Sequence, residues 1–307
     1  MPIVSTIIPT TRRPKLILRA INSVLAQTFH DLEVIVVVDG PNPETVAALS
    51  VVSDDRVRLI QNDRAEGPGA ARNKGAAAAY GHWLAFLDDD DEWLPIKLER
   101  QLEVARTAGN RAVMTCLSYI ASPSAQYVWP RSIYDNKFPF DEYLFDRRSF
   151  FKGEAFVQTT SLLMPRNLFE AFKFPPTCQH EDWDLLLRLI KIGKAQLITV
   201  EEPLVIIHDE EDRDSLSDSS TWISSMNWID GCGSLINRRA YSGFCLTVAG
   251  PEAAKTADYS AFFSLLYRAF KYGTPTPLQL LFFFVAWVIP MGLRRRLRSV
   301  WYRSTQS

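Results

Sequence analysis

The sequence has 307 residues, of which 47% are hydrophobic and 22% are charged. This apolar content is ample for a packed core and excludes an intrinsically disordered chain. Lys and Arg number 34 against 35 Asp and Glu, so the chain lacks the positive field that nucleic-acid binders use. We therefore expect a folded protein with no nucleic-acid partner.

Two features predict a cytoplasmic location for the folded part of the chain. The four cysteines lack C-x-x-C spacing, which is typical of free thiols in a reducing compartment and implies no zinc site. The N-terminal residues lead directly into an apolar run, without the charged region and apolar segment of a secretion signal.

Strand and helix patterns alternate through the first third of the chain. Apolar runs predict strands at residues 4–8, 32–38, 56–61 and 83–87, with helices after the first three. This alternation indicates right-handed βαβ units and a mostly parallel sheet flanked by helices, in the α/β class. Because ligands bind beyond the carboxyl ends of such strands, we expect the functional site at that edge.

Five acidic residues, Asp88 to Asp91 and Glu92, directly follow the fourth predicted strand. Carboxylates this close repel one another unless a cation compensates their charge. Mg²⁺ and Mn²⁺ take one or two protein carboxylates and complete their shells with water and phosphate oxygens. The cluster therefore indicates a metal shared with a phosphorylated substrate, or else a solvated turn that caps the next helix.

A glycine-rich segment, Gly67-Pro68-Gly69, precedes an alanine-rich helix. The third glycine of a dinucleotide fingerprint is missing, since position 72 is Arg, and the chain contains no P-loop motif. The helix N-terminus with Arg72 is a candidate anion site. Alternatively, the glycines and alanines only let this helix pack closely on the sheet.

The second half of the chain alternates less regularly. The later predictions are strands at residues 112–119, 156–164, 195–200 and 204–207, and helices at residues 165–172, 221–239 and 257–271. Residues 122–153 show no firm period and predict a loop or small excursion over the site. The last two helices predict a helical C-terminal extension.

Two further chemical candidates lie in this half. Glu181 and Asp182 begin a helix, where a carboxylate is either a general base or only a cap that complements the helix dipole. His208 follows a predicted strand and is a candidate metal ligand, although a lone histidine is more often a surface or core residue.

The C-terminal residues 272–293 carry no charge, and five arginines follow within residues 294–303. As a helix, ten to sixteen apolar residues span about 15 to 24 Å, short of the roughly 30 Å hydrocarbon core. We therefore expect a segment that lies at the inner membrane surface, with arginines near anionic lipid. A buried helix that closes the fold is the alternative.

Six sequence blocks closely resemble the family 2 glycosyltransferases, inverting enzymes of the glycosyltransferase A fold, a Rossmann-like nucleotide-binding architecture. The blocks are Ile7-Ile8-Pro9-Thr10, Ser23-Val24-Leu25-Ala26-Gln27-Thr28, Val36-Val37-Val38-Asp39-Gly40, Ala71-Arg72-Asn73-Lys74-Gly75, Phe86-Leu87-Asp88-Asp89-Asp90-Asp91 and Glu181-Asp182-Trp183. They extend in register from residue 4 to about residue 210.

The resemblance implies a role for each of the site residues. Those implied to bind the donor nucleotide are Pro9, Thr10, Asp39, Arg72 and Asp88. Asp88 and Asp90 match the D-x-D pair that holds Mg²⁺ or Mn²⁺, and Asp182 matches the base. The chain has Val38-Asp39 where the family often has two adjacent acids, and four consecutive aspartates leave the D-x-D register open by one residue.

The resemblance implies transfer of a sugar from a nucleotide diphosphate sugar, expected to be UDP-linked, to a hydroxyl acceptor in cell-surface polysaccharide or glycolipid synthesis. It implies a catalytic domain over residues 1–210, with its nucleotide half at 1–120 and its acceptor half at 121–210. Residues 211–271 form the expected helical extension, and residues 272–307 the expected membrane-associating tail.

Three alternatives stay open at this point. A sugar nucleotidyltransferase would need a glycine-rich N-terminal signature, and residues 4–14 contain no glycine. A hydrolase with two carboxylates would need no nucleotide loop. A non-catalytic nucleotide-sugar-binding protein is the third.

Three tryptophans could stack on a sugar ring or simply pack in the core: Trp93, Trp129 and Trp183.

Overall fold

A computed structural model of the protein describes residues 2–122, 125–149, 155–176, 179–208 and 221–289. The chain divides into two compact units. The sheet unit contains residues 1–121, 126–136 and 156–209, and the helical unit contains residues 122–125, 137–155 and 210–307.

The first half of the sheet unit is a run of βαβ units. Its elements are β1 Val4–Thr10, α1 Pro14–Leu25, β2 Leu32–Val38, α2 Pro43–Leu49, β3 Val57–Gln61, α3 Pro68–Ala77 and β4 Trp83–Phe86. Strands β3, β2, β1 and β4 are neighbours in that order, and every pair is parallel. The predicted parallel sheet is thus confirmed, and the carboxyl ends of its strands share one edge.

The remaining strands extend this sheet with mixed directions. In chain order the elements are β5 Glu92–Trp93, α4 Lys97–Ala108, β6 Ala112–Ser122, β7 Ala125–Trp129, α5 Phe140–Phe145 of the helical unit, β8 Leu163–Pro165, α6 Arg166–Phe172, α7 Glu181–Leu187 and β9 Gln196–His208. The nine strands lie in the order β3-β2-β1-β4-β8-β6-β9-β5, with β7 paired to β6. Strand β8 runs antiparallel to β4, and β5 runs antiparallel to β9.

The strand predicted over residues 156–164 is wrong for most of its length. Only Leu163–Pro165 is a strand, and Thr159–Ser161 form a short 3-10 helix. The hydroxyl of Ser161 donates to the carbonyl of Gln158 at 2.7 Å. Such local bonds from a side chain to the backbone compete with strand pairing.

The two short strands predicted near residues 195–207 are one strand, β9. Its pairing with β6 shifts register on either side of Leu117, which lies opposite Pro203. Because proline has no N–H to donate, the ladder tolerates it only at such an irregularity.

Helix α3 packs very closely on the sheet. A Cβ atom added at Gly75 would lie 2.6 Å from Cγ2 of Ile7, so no larger residue fits there without movement. Gly67 precedes the helix with φ +92°, a backbone conformation that favours glycine. The packing explanation for this glycine-rich segment is therefore supported.

The helical unit contains five more α-helices within the described residues. They are α8 Trp222–Gly231, α9 Arg238–Phe244, α10 Gly250–Lys255, α11 Tyr259–Tyr272 and α12 Pro277–Val288. The single helix predicted over residues 221–239 is interrupted after α8, where Gly233 adopts φ +52° and ends the helix. None of the helices among the described residues has the length and apolar character needed to cross a membrane.

Helix α12 covers part of the predicted membrane-associating tail. Its Phe283 and Ala286 are buried, whereas Leu281 and Val288 are exposed, so it is neither fully buried nor fully exposed. The rest of that tail, residues 290–307, lies outside the described residues.

Candidate active site

Strands β1, β2 and β4 bring the first predicted site residues to one edge of the sheet. Pro9 and Thr10 end β1, Asp39 follows β2, and Asp88 lies two residues beyond β4. The hydroxyl of Thr10 donates to Oδ2 of Asp89 at 2.7 Å, across 79 residues of sequence. The edge thus joins the end of β1 directly to the acidic cluster.

Asp39 organises the loop between β3 and α3. Its carboxylate accepts hydrogen bonds from Nδ2 of Asn62 at 2.8 Å and from the backbone N–H groups of Glu66 and Gly67 at 2.9 and 2.8 Å. Sequence reasoning missed Asn62. It directly follows the carboxyl end of β3, which is the same signal that pointed to Asp39.

The acidic cluster is paired with arginines of α1 and the loop before it. Arg13 forms ion pairs with Asp89, at 3.0 Å, and with Asp90. Arg19 donates to the backbone carbonyl of Asp90 at 2.6 Å. Neither arginine was predicted, although Arg13 lies just beyond the carboxyl end of β1, where its charge could have been noticed.

Two members of the cluster are deeply buried. Asp89 is 6% exposed and Asp90 is 3% exposed, so the alternative of a solvated acidic turn does not hold for these two residues. Burial, and then the charge of Asp90, raises the pKa of Asp89 to about 6. Placing several carboxylates in a buried position requires positive charge nearby, which Arg13 supplies in part.

Arg72 connects the acidic cluster to the second acidic locus. Its guanidinium lies 2.6 Å from Oδ1 of Asp88 and 3.1 Å from Oε1 of Glu181. Arg72 is itself buried and stacks over the ring of Phe174, 5.2 Å from the ring centroid. These contacts bring the N-terminus of α7 to the same edge as β4.

Asp182 is the second residue of α7. Burial, followed by the charge of Glu181, raises its pKa above the ordinary aspartate value. The first turn of α7 contains three acids, which complement the positive end of the helix dipole. The structure therefore accommodates both interpretations of Asp182, a helix-capping charge and a proton acceptor.

His208 ends β9 beside the last residue of the acidic cluster. Its Nε2 lies 2.7 Å from Oε1 of Glu92, and its backbone N–H donates to Asp91 at 3.4 Å. Within the described part of the chain, no group of three or more His, Cys, Asp or Glu side chains is arranged to hold a metal. The role of His208 as a metal ligand stays a prediction.

Two of the three candidate tryptophans are core residues. Trp93 is 3% exposed and donates from its indole N–H to the carbonyl of Thr160 at 2.9 Å, and Trp129 is 6% exposed. Trp183 is only partly buried and stacks on the ring of His180, with centroids 4.7 Å apart. The packing alternative thus holds for the first two.

The family model for Glycosyl transferase family 2 matches residues 5–172, more than half of the chain. The chain therefore belongs to this family, and the sheet with its acidic edge is the glycosyltransferase A fold predicted from the sequence. The match ends before Asp182, so that residue lies outside the part that the family model covers.

Curated bacterial relatives are similar over different shares of the chain. Succinoglycan biosynthesis protein ExoO of Rhizobium meliloti (strain 1021) is 40% identical over 121 residues, 39% of this chain and 35% of that protein. The match thus spans about a third of that relative. UDP-Glc:alpha-D-GlcNAc-diphosphoundecaprenol beta-1,3-glucosyltransferase WfgD of Escherichia coli is 29% identical over 202 residues, 64% of this chain and 73% of that enzyme.

Solved structures share the fold at low sequence identity. S. aureus TarS 1-349 in complex with UDP-GlcNAc aligns with TM-score 0.59 and 15% identity, covering 99% of this chain and 92% of that one. Mannosyltransferase PcManGT from Pyrobaculum calidifontis, in complex with GDP-Man and Mn2+, aligns with TM-score 0.53 and 17% identity, covering 93% of this chain and 74% of that one.

Proposed function

We propose that the protein transfers a sugar, with inversion, from a nucleotide diphosphate sugar to a hydroxyl group of a glycan or lipid-linked acceptor. The main observation behind this proposal is the pair of contacts made by Arg72, which join Asp88 to the Glu181-Asp182 block at the carboxyl edge of a parallel sheet. Membership of glycosyl transferase family 2 and relatives named for polysaccharide synthesis support this function.

The donor nucleotide binds along the edge of β1, β2 and β4 in this proposal. Pro9, Thr10 and Asp39 contact the nucleoside, expected to be uridine. The loop that Asp39 orders becomes one wall of the nucleotide site. Arg72 and Asp88 lie toward the diphosphate, where a buried guanidinium is well suited to phosphate oxygens.

The acidic cluster is suited to Mg²⁺ or Mn²⁺. Its donors are carboxylate oxygens, which hard divalent cations prefer, and the ion pairs of Arg13 with Asp89 and Asp90 support the proposal that these acids attract a cation. Asp88 and Asp90 would hold the ion, with His208 as a further candidate beyond Glu92. When bound, the ion stabilises the negative charge of the departing diphosphate.

Asp182 acts as the general base in this proposal. Its raised pKa makes its carboxylate a better proton acceptor than an ordinary aspartate, and it would take the proton from the attacking acceptor hydroxyl. Attack opposite the leaving diphosphate inverts the sugar carbon. Arg72, through Glu181, holds the helix that carries this base.

The acceptor is proposed to be lipid-linked and the protein peripheral on the cytoplasmic face of the membrane. Relatives such as WfgD are named for action on a diphosphoundecaprenol substrate, which would be met at a bilayer. The proposed organisation is a catalytic domain over residues 1–210, a helical extension over 211–271 and an attaching tail over 272–307.

A panel of nucleotide sugars tests the proposed function. The full-length protein would be incubated with each donor, a lipid-linked acceptor, and Mn²⁺ or Mg²⁺, and the released nucleotide diphosphate would be measured. We expect release from one donor class, and release slowed by about 10² to 10⁴-fold in Asp182→Asn under the same conditions. Failure to bind any nucleotide diphosphate in calorimetry would contradict the proposal.

A further inference from the structure

Helix α11 carries a row of exposed aromatic side chains. The row consists of Tyr259, Phe263, Tyr267 and Phe270, which are 71%, 74%, 60% and 57% exposed. Spacings of three and four residues place them on one side of the helix. The residues that the same helix buries, Ala261, Leu265 and Ala269, lie on its other side. One side of α11 thus packs in the helical unit while an aromatic side faces solvent.

Helix α12 continues this surface. The ring of Phe262 lies 5.9 Å from that of Phe284 and 5.4 Å from that of Trp287, and Tyr259 lies 5.8 Å from Trp287. Further exposed apolar side chains recur along α12 at helical spacing, namely Leu281, Phe284 and Val288. We call the row on α11 together with these three residues the aromatic face.

An isolated exposed apolar side chain is ordinary, but these seven lie on two helices that contact each other through the rings of Phe262 and Trp287, and together they form an apolar patch. Such a patch marks an interaction surface. Tyrosine has an apolar ring and a polar tip, so it is suited to the boundary between hydrocarbon and water. The aromatic face therefore has the chemistry of an interfacial surface.

The charge of this part of the chain favours one partner. From residue 259 to residue 307 the sequence contains seven Arg and Lys residues and no Asp or Glu. The whole chain has net charge -1, so this positive segment differs sharply from the rest. Five of the seven, within residues 294–303, lie outside the described residues. Basic residues in the same segment of sequence as an apolar surface favour anionic lipid headgroups as its partner.

We propose that the aromatic face is a docking surface for an anionic lipid bilayer. The helices lie on the surface without crossing it, because α12 has 12 residues and spans about 18 Å, against roughly 30 Å of hydrocarbon. This assignment deepens the membrane location in the proposed function, and adds α11 to the membrane-contacting surface expected from the tail alone.

Flotation of the full-length protein with vesicles tests the assignment without donor or acceptor. One set of vesicles contains phosphatidylcholine with phosphatidylglycerol, and the other contains phosphatidylcholine alone. The test variant is Phe263→Gln with Phe270→Gln. The control is Val51→Gln with Ile192→Gln, which are 71% and 58% exposed in the sheet unit.

We expect the wild type and the control to float with the anionic vesicles and to bind the neutral ones less. The test variant should lose about tenfold or more of its partitioning, because two large apolar side chains no longer enter the interface. Its melting temperature and its calorimetric affinity for a nucleotide diphosphate should match the wild type, since both positions are exposed in the helical unit.

Two results would overturn the assignment whether or not the protein is a transferase. The first is a wild type that fails to bind anionic vesicles, or a test variant that binds them as well as the wild type. The second is self-association of the wild type that the test variant abolishes while vesicle binding is unchanged, which would identify a second copy as the partner. Loss of transfer activity with normal vesicle binding would count only against the proposed function.

Discussion

Arg72 Nη2 lies 2.6 Å from Oδ1 of Asp88, and the same guanidinium lies 3.1 Å from Oε1 of Glu181. The two acids are far apart in sequence, one after β4 and the other at the start of α7. A nearly buried arginine between them fixes their separation, because its planar donors satisfy both carboxylates at once. The geometry of the proposed site thus depends on one side chain of α3.

Arg72→Met should therefore destabilise the protein and weaken donor binding. Removing the guanidinium leaves Asp88 and Glu181 without their shared cation in a partly buried position, which typically costs about 3 kcal/mol of unfolding free energy. Urea denaturation measures the stability and calorimetry with a nucleotide diphosphate measures the binding. Arg72→Lys should recover only part of both, because lysine cannot reproduce the two-pronged contact.

Arg64→Met provides the matched control for that experiment. Arg64 pairs with Glu66 on the surface, with side chains 84% and 45% exposed, and such pairs contribute about 0 to 1 kcal/mol. Equal stability of Arg72→Met and Arg64→Met would contradict the organising role of Arg72.

Asp90→Asn should abolish metal-dependent turnover while the protein stays folded. Asp90 is buried against Arg13, but Arg13 keeps its ion pair with Asp89 in the variant, and repulsion between the two acids disappears. Turnover and Mn²⁺ affinity measure the effect, with exposed Asp63→Asn as control. Full activity of Asp90→Asn in the presence of a chelator would contradict a role for Asp90 in metal binding.

The edge of the sheet could be predicted because it depends on strand direction. The apolar runs of β1, β2 and β4 are buried on both faces, which is the pattern of parallel strands, and parallel strands end together. Thr10 ends β1, and Asp39 and Asp88 follow β2 and β4, so all three residues lie at one edge of the sheet.

The counter-charges could not be predicted in the same way. Arg13 and Arg19 reach the acidic cluster through long side chains whose direction depends on how α1 packs, which periodicity does not specify. The strand expected over residues 156–164 failed for a related reason. The hydroxyl of Ser161 forms a local hydrogen bond to the backbone carbonyl of Gln158, and a pattern of β-branched residues does not reveal such a bond.

Asp39→Ala should loosen the loop between β3 and α3. The substitution removes the acceptor for the part-buried backbone N–H groups of Glu66 and Gly67 and for the buried Nδ2 of Asn62, and an unsatisfied buried donor costs about 1 to 3 kcal/mol. Hydrogen exchange at these two amides should accelerate and nucleotide affinity should fall. Asp63→Ala, at an exposed position of the same loop, should change neither. Unchanged exchange in Asp39→Ala would contradict the ordering role.

Lys97 gives the folded protein a distinct dependence of stability on pH. It is fully buried, with its Nζ 2.8 Å from Oε1 of Gln101, and burial lowers its pKa to about 8. In the unfolded chain the pKa is about 10.4. The folded state therefore binds this proton more weakly, so stability rises as the pH rises above the folded pKa and is lost as the pH falls through it.

Lys97→Met removes this titration. Between about pH 7 and about pH 10 the unfolding free energy of the wild type should gain about 2 kcal/mol relative to that of Lys97→Met. Denaturation at several pH values measures the difference. Lys15→Met, at an exposed position, should run parallel to the wild type. A constant difference between the wild type and Lys97→Met would show that Lys97 titrates normally in the folded protein.

Asp182→Asn should slow the chemical step by about 10² to 10⁴-fold, the usual contribution of a positioned base. Nucleotide affinity should change little, because Arg72 contacts Glu181 and not Asp182. Single-turnover transfer and calorimetry separate the two effects. If nucleotide affinity collapsed while bound donor still reacted, the role of Asp182 would be to bind the donor or to cap α7, and not to accept the proton.

The pH dependence of transfer gives an independent check on Asp182. Burial raises its pKa, so the carboxylate needed for proton transfer forms at a higher pH than in an ordinary aspartate, whose pKa is about 3.9. The rate should therefore rise with pH through this raised pKa and fall about tenfold per pH unit below it. Asp182→Asn has no carboxylate at this position, so its transfer rate should not show this fall at low pH, the acidic limb of the pH–rate profile. An identical limb in the wild type and in Asp182→Asn would assign the titration to another group and remove the support for Asp182 as the base.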